Sequence, residues 1–401
     1  MRSSRRLEAE TIRNLEVIWL LRGLRPDFKT IADFRRDNRN AFKAVFRSFV
    51  LLCRRLDLFG RELLAVDGTR LKAVNSRERN FTREKLAGLI RSADTRLEDY
   101  LARLDRADQG DDTASVDRAA SLTTKIASMR KRREKHEALL GELIASGESQ
   151  ISLTDPDSRA MAAHPKVGVG YNAQVAVDAK HKLIVEQQVT NAGSDLGLLA
   201  QTAGAAKALL DVESIDAVAD MGYYKGEDIE ACEKTGVTPY VARPQRGPAV
   251  REGRFRKEEF RYDASSDTYL CPADQRLKPL YRSVKDGHVR IQYCNRDACR
   301  ACTLKPQCTG ASCRLVARWE GEAVLDRMAA RLAARPDILA RRREVVEHPF
   351  GSIKQWMNQG AFLMRGLEKV RAEFSLTAIA YNLRRAITIL GVPELIRAVQ
   401  T

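Results

Sequence analysis

Two apolar runs that each end in an aspartate constrain this chain more than any other feature. Leu63-Leu64-Ala65-Val66 leads into Asp67-Gly68-Thr69, and Ile215-Asp216-Ala217-Val218-Ala219 leads into Asp220-Met221-Gly222-Tyr223-Tyr224. Short apolar runs of this kind fit buried strands, so each places an acid where a strand meets solvent. Between them, Gly170 to Asp178 and Leu183 to Thr190 alternate apolar and polar residues around a polar turn at Lys180 to Lys182, which is the pattern of a hairpin. A helical stretch from about Asp195 to Leu210, a short helix near Glu227 to Lys234 and a strand at Thr238 to Ala242 complete the series.

A third acid lies far downstream, in Val346-Glu347-His348-Pro349-Phe350-Gly351-Ser352-Ile353-Lys354, with Arg343 four residues before it. On a regular helix one turn separates Arg343 from Glu347 and about two turns separate Glu347 from Lys354. A carboxylate between two cations on nearly one face suits a metal ligand flanked by phosphate binders. The same spacing also describes a salt-bridged amphipathic helix, whose pairs are worth only a few tenths of a kcal/mol. The order β-β-β-α-β-α-β, closed by the Glu347 helix, is that of an RNase H-like fold, so an α/β chain with a mixed sheet is expected.

Charge separates along the sequence. The chain of 401 residues has 69 Lys and Arg against 53 Asp and Glu, a net charge of +16. Residues 1–61 carry +8, residues 243–318 carry +9 and residues 319–401 carry +4, whereas residues 62–242 carry −5. Basic lobes around an acidic core suit a protein that grips nucleic-acid phosphates at several places. The chain has no apolar run near 18 residues and no signal-peptide pattern, so a soluble, cytoplasmic and nucleoid-associated protein with no membrane partner is expected. Six of the eight cysteines fall between Cys271 and Cys313, and in a reducing compartment metal binding is a commoner reason for clustering than disulfides.

These patterns divide the chain as follows. Residues 1–60 are read as a helical, DNA-binding region, in which Arg35, Arg36 and Arg39 are candidate phosphate contacts, a solvated helix face being the alternative. Residues 61–78 and 150–245 form the first part of the catalytic core, and 319–401 its C-terminal part. Residues 79–149 form a helical hairpin: Leu86, Ile90, Ala93, Leu97, Tyr100 and Leu104 follow a seam spacing that resumes from Ala119 to Leu143. His136 falls in that seam as a packing residue. Residues 246–318 form a basic, cysteine-rich insertion, and Phe374 to Leu390 a helix that packs on the core.

With these residues in place, the chain resembles bacterial insertion-sequence transposases of the DDE type, in the group with a Tyr-x2-Arg-x3-Glu-x6-Lys signature. The carriers are Asp67-Gly68-Thr69, Thr154-Asp155-Pro156-Asp157, Gly170-Tyr171-Asn172-Ala173-Gln174, Asp220-Met221-Gly222-Tyr223-Tyr224 and Glu347-His348-Pro349-Phe350-Gly351. The resemblance implies that Asp67, Asp220 and Glu347 hold two Mg²⁺ ions, that Arg343 and Lys354 hold backbone phosphates, and that the chain cleaves and joins DNA. Two Mg²⁺ ions clamp the attacking and leaving oxygens of such a reaction. Hard oxygen ligands suit them, and metal binding relieves the repulsion among crowded acids. The implied partners are double-stranded DNA, as terminal inverted repeats and target, and a second copy of the chain in a homodimer. Ala340 stands where the signature expects Tyr, and Met1 starts inside the family pattern, as in a shortened copy. Cys299-x2-Cys302-x5-Cys308, with Cys271 upstream, resembles a zinc-ribbon-like insert of this group, with Cys294 and Cys313 as alternate ligands. Two other readings stay open: a catalytically inactive DNA-binding relative that represses transposition, and a zinc-dependent DNA-binding module.

Overall fold

The computed structural model describes residues 3–107, 113–163, 166–245, 248–285 and 287–400. The turn at 109–112 of the expected helical hairpin lies outside them. The chain is mixed α/β. Its main sheet has six strands in the order Arg159–Ala163, Lys166–Asp178, Leu63–Lys72, Ile215–Ala219, Val237–Val241, with Ile184–Thr190 also paired to Lys166–Asp178. The Lys166–Asp178 strand is antiparallel to its three neighbours, whereas Leu63–Lys72, Ile215–Ala219 and Val237–Val241 run parallel. The two aspartate-terminated runs are therefore adjacent parallel strands.

Leu63, Leu64, Ala65 and Val66 are buried in succession, so both faces of that strand are covered. The Leu199–Leu210 and Ile338–Gly351 helices both pack on it. The first of these begins four residues later than the sequence pattern implies, and Asp195 is left in the loop before it. The hairpin turn is fixed by Asp178, which is fully buried and accepts hydrogen bonds from the backbone N–H groups of Gly60 (3.0 Å), Arg61 (2.9 Å) and Lys180 (2.9 Å). One carboxylate thus ties the hairpin to the chain entering the Leu63–Lys72 strand.

Two satellite units have cores of their own. The Arg83–Ala107 and Thr113–Ala145 helices pack together over Phe81, Leu86, Leu139 and Leu143, and His136 is buried against Phe81. The cysteine-rich region is a five-stranded antiparallel sheet, in the order Val316–Trp319, His288–Cys294, Arg276–Lys285, Thr268–Leu270, Arg261–Asp263. Its core is Phe260, Tyr269, Leu277, Tyr293 and Val316. At the N-terminal end the Phe28–Asp37 helix starts earlier than Thr30, because Asp27 accepts from the Thr30 N–H at 2.7 Å and so caps it. Among the described residues no helix is long and apolar enough to cross a membrane.

The Leu367–Leu390 helix docks on the sheet through a polar contact. Asn382 is fully buried and reads the strand backbone twice, accepting from Ile184 N at 2.9 Å and donating to Ile184 O at 2.7 Å. The contact falls beside the register shift between Ala176 and Val177, where the regular ladder is interrupted. Replacing Asn382 with Leu keeps the volume but strands a buried N–H and C=O. The expected loss is about 2–4 kcal/mol in urea unfolding. A loss below about 1 kcal/mol would mean that the strand backbone finds other partners.

Candidate active site

The parallel register pairs Leu63 with Asp216 and Ala65 with Val218, and two further residues along it Asp67 comes level with Asp220. Neighbouring strands lie about 4.8 Å apart, so the two acids leave the sheet side by side. Asp67 Oδ1 accepts from Gly68 N at 2.8 Å, and Asp220 Oδ1 accepts from Gly222 N at 2.7 Å. Each acid is thus oriented by the backbone just beyond it. Burial pushes the Asp67 carboxyl up to about 6; the Arg342 guanidinium and the Gly68 N–H pull it down, and the neighbouring Asp220 charge pushes it further up.

Arg342 donates to Asp67 Oδ2 at 2.8 Å, and both side chains are mostly shielded from water. The sequence reading gave Arg343 to a backbone phosphate and gave Arg342 no role, and it is Arg342 that reaches the acid. The reason is helical phase. Val345, Val346 and Pro349 are the buried face of the Ile338–Gly351 helix, and Arg342 lies three and four residues before the two valines. Arg343 and Glu347 are exposed. At about 100° per residue, Glu347 lies roughly 140° around the helix from Arg342 and about 40° from Arg343. The helix then widens into a π turn at Ser352–Trp356, so Lys354 does not follow the regular spacing from Glu347. Burial lowers the Lys354 ammonium's pKa, while the charge of Asp67 raises it, which puts Lys354 on the Asp67 side.

A polar layer that the sequence reading missed lies behind the two aspartates. Asp195, mostly buried, accepts from Asn172 Nδ2 (2.7 Å), Gln174 Nε2 (2.8 Å) and Arg70 Nη2 (2.8 Å). The Tyr223 hydroxyl donates to Gln174 Oε1, and burial together with the charges of Asp195, Asp67 and Asp220 holds its pKa well above the ordinary value. Gly68 is required here, because a Cβ at that position would come within 2.7 Å of Asp195 Oδ1 and 2.9 Å of Asn172 Oδ1. The available signal was polar residues, Asn172 and Gln174, on the inward face of a strand that is otherwise apolar.

Among the described residues no group of three or more His, Cys, Asp or Glu side chains is arranged to hold a metal ion. The structure brings Asp67 and Asp220 together and leaves Glu347 on the exposed face of the neighbouring helix. The pair itself fits a hard cation: both donors are carboxylate oxygens, and their mutual repulsion is what a divalent ion would relieve. In the cysteine-rich sheet, Cys271, Cys299, Cys302 and Cys308 line one cavity of about 30 Å³. Burial raises the Cys308 thiol pKa, and the charges of Cys299, Cys271 and Cys302 add to the rise. Cys294 and Cys313 are two neighbouring free thiols, Cys294 pushed up to about 12 by burial and by its hydrogen bond with Cys313. Arg35 reaches Ser4 Oγ, and Arg36 pairs with Asp33 (2.6 Å) and Asp37 (2.8 Å).

The position of Asp67 has a cost that can be measured. Its folded value of about 6 exceeds the ordinary 3.8, so ionising it costs stability as pH rises from about 4 to 6, and the cost is complete above that range. Asp67→Asn should therefore stabilise the metal-free fold at pH near 7.5, by at most about 3 kcal/mol, and the gain should vanish near pH 4. Urea unfolding in EDTA, followed site by site through labelling of the buried Cys53 and Cys232 thiols, reads the opening of the main core. A variant less stable than the native chain at pH 7.5 would contradict this account.

No curated protein and no solved structure matches the chain. Residues 270–387 match the model of the family described as Transposase DDE domain, a segment of less than a third of the chain that contains Glu347, Lys354 and all six clustered cysteines.

Proposed function

We propose that this chain is a DDE transposase with an RNase H-like core, which cleaves insertion-sequence ends and joins them to target DNA. The observation that carries the reading is the alignment of Asp67 and Asp220 at the ends of adjacent parallel strands, under the helix that bears Glu347. The family match over residues 270–387 supports it independently, since that segment includes neither aspartate. The substrates would be terminal inverted repeats and target DNA, and the active form a homodimer.

Asp67 and Asp220 would hold Mg²⁺, whose chemistry is to activate the attacking oxygen and to neutralise the leaving one, and Glu347, exposed on its helix, would have to turn inward to join them as third ligand. The chain's own residues supply the rest. Arg342 neutralises Asp67 and so keeps two adjacent carboxylates tolerable in the folded protein. Gly68 N–H and Gly222 N–H fix which oxygen of each acid faces away from the sheet. Lys354, close enough to feel the Asp67 charge, is placed to hold a phosphate against the acids, and Arg343 shares the exposed side with Glu347.

The decisive test is Glu347→Gln, which keeps size and hydrogen bonding and removes one negative charge. Nicking of an inverted-repeat duplex in Mg²⁺ should be abolished while duplex binding stays within about twofold, because affinity comes from Lys and Arg contacts to phosphates. A Glu347→Gln chain that still nicks would remove this residue from the reading. A native chain that binds but never nicks would point to the repressor role instead.

We also propose that Cys271, Cys299, Cys302 and Cys308 hold a structural Zn²⁺. The four thiols line one small cavity and are the donor type of such sites, and the ion would draw them in from positions that do not by themselves form a cluster. Purified protein should carry about one equivalent of zinc, lost in Cys302→Ser, and Zn²⁺ should protect the four thiols from alkylation. Less than about half an equivalent in protein prepared without chelator would count against it.

A further inference from the structure

We infer that a cleft between the N-terminal helices and the loop before the Leu367–Leu390 helix is a clamp for the sugar-phosphate backbone of duplex DNA, with Arg365 and Lys369 as its outer jaw. This rests on the proposed transposase reading and adds to it the place where the duplex is gripped. The cleft has a volume of about 340 Å³ and is lined by Arg35, Arg36 and Arg39 on one side and by Arg365 and Lys369 on the other. The two sides are more than 300 residues apart in sequence, so no local helical pattern explains their meeting.

The inner jaw is partly compensated. Arg36 pairs with Asp33 and Asp37, and Arg39 lies 3.7 Å from Glu368. The outer jaw is not: Arg365 and Lys369 are exposed, and among the described residues neither forms an ion pair. Five cations against the one acid Asp33 leave the lining of the cleft net positive, and a polyanion is the partner that suits it.

The loop that presents Arg365 is held in advance of any partner. Glu373 accepts from Leu363 N (3.1 and 3.0 Å) and Met364 N (3.0 Å), Asp155 accepts from Gly366 N (3.1 Å) and Asp157 from Leu367 N (2.8 Å). Asp155 is itself fully buried and bonded to the Tyr171 hydroxyl at 2.8 Å. Three carboxylates bonded to the backbone of one short loop hold it in place with Arg365 exposed, next to Lys369 in the first turn of the helix, which lowers the cost of binding. The Thr154-Asp155-Pro156-Asp157 block of the sequence finds its structural use here.

The same loop is tied to the catalytic strand. Lys72 N donates to Gly360 O (3.2 Å), and Phe362 N donates to Lys72 O (2.8 Å). Lys72 is five residues beyond Asp67 on the same strand, so the loop that carries Arg365 is anchored to the strand that carries that acid.

The test is a salt titration of binding to a labelled duplex by the full chain. Arg365→Ala with Lys369→Ala should weaken binding about tenfold at fixed salt and make the slope of log K against log salt shallower by about two. Lys131→Ala with Arg132→Ala, which removes the same charge from the exposed face of the helical hairpin, should leave both within about twofold. A clamp variant that binds like the native chain, or a control that loses as much, overturns the inference and leaves the Glu347 nicking test untouched. A native chain that binds no duplex overturns both.

Discussion

The close approach of two carboxylates at the end of a buried parallel pair of strands is the constraint on which the rest of the site depends. Water would ordinarily separate such charges; here the sheet register sets them level and the surrounding core removes the solvent. What keeps the arrangement foldable is a set of donors, Gly68 N–H, Gly222 N–H and Arg342, each aimed at a carboxylate. Even so, Asp67 stays near 6, which marks the site as electrostatically strained before any substrate arrives. Burial is the main cause of that rise and the Asp220 charge a smaller one, and groups shifted in this way are common at sites that perform chemistry.

Much of the fold could be read from local patterns, because the signals are themselves local. Four apolar residues before Asp67, five residues with only one acid before Asp220, and the alternating hairpin between them place the main strands. The hairpin helices follow from their seam, and His136 packs in it as its position implies. The five-stranded sheet of the cysteine-rich region was not legible. Its longest strand, Arg276–Lys285, is basic and mostly exposed, and its core of Phe260, Tyr269, Leu277, Tyr293 and Val316 is drawn from separate parts of the chain.

Within the site, residue identity was easier to read than residue direction. The run before Glu347 offers three consecutive arginines, and only the phase of the buried valines decides which one meets Asp67. The π turn at Ser352–Trp356 defeats any spacing argument that assumes 3.6 residues per turn, so the place of Lys354 depends on structure. Asp195 was hidden for another reason. Its partners Arg70, Asn172 and Gln174 come from two different strands, and a network of that kind leaves no periodic trace.

Among the described residues three separate hydrophobic cores form, the largest under the main sheet and two small ones in the helical hairpin and the cysteine-rich sheet. Few apolar side chains join them, so their melting need not be concerted, and a single transition midpoint would describe an average over unlike units. The small cores, with four and five fully buried apolar residues, can open at a free energy well below that of the main sheet. Proteolytic sensitivity or exchange in either appendage would then report on that appendage alone. Sequence drift in one would be tolerated without disturbing the aspartates, and these two regions are where such a scaffold can vary fastest.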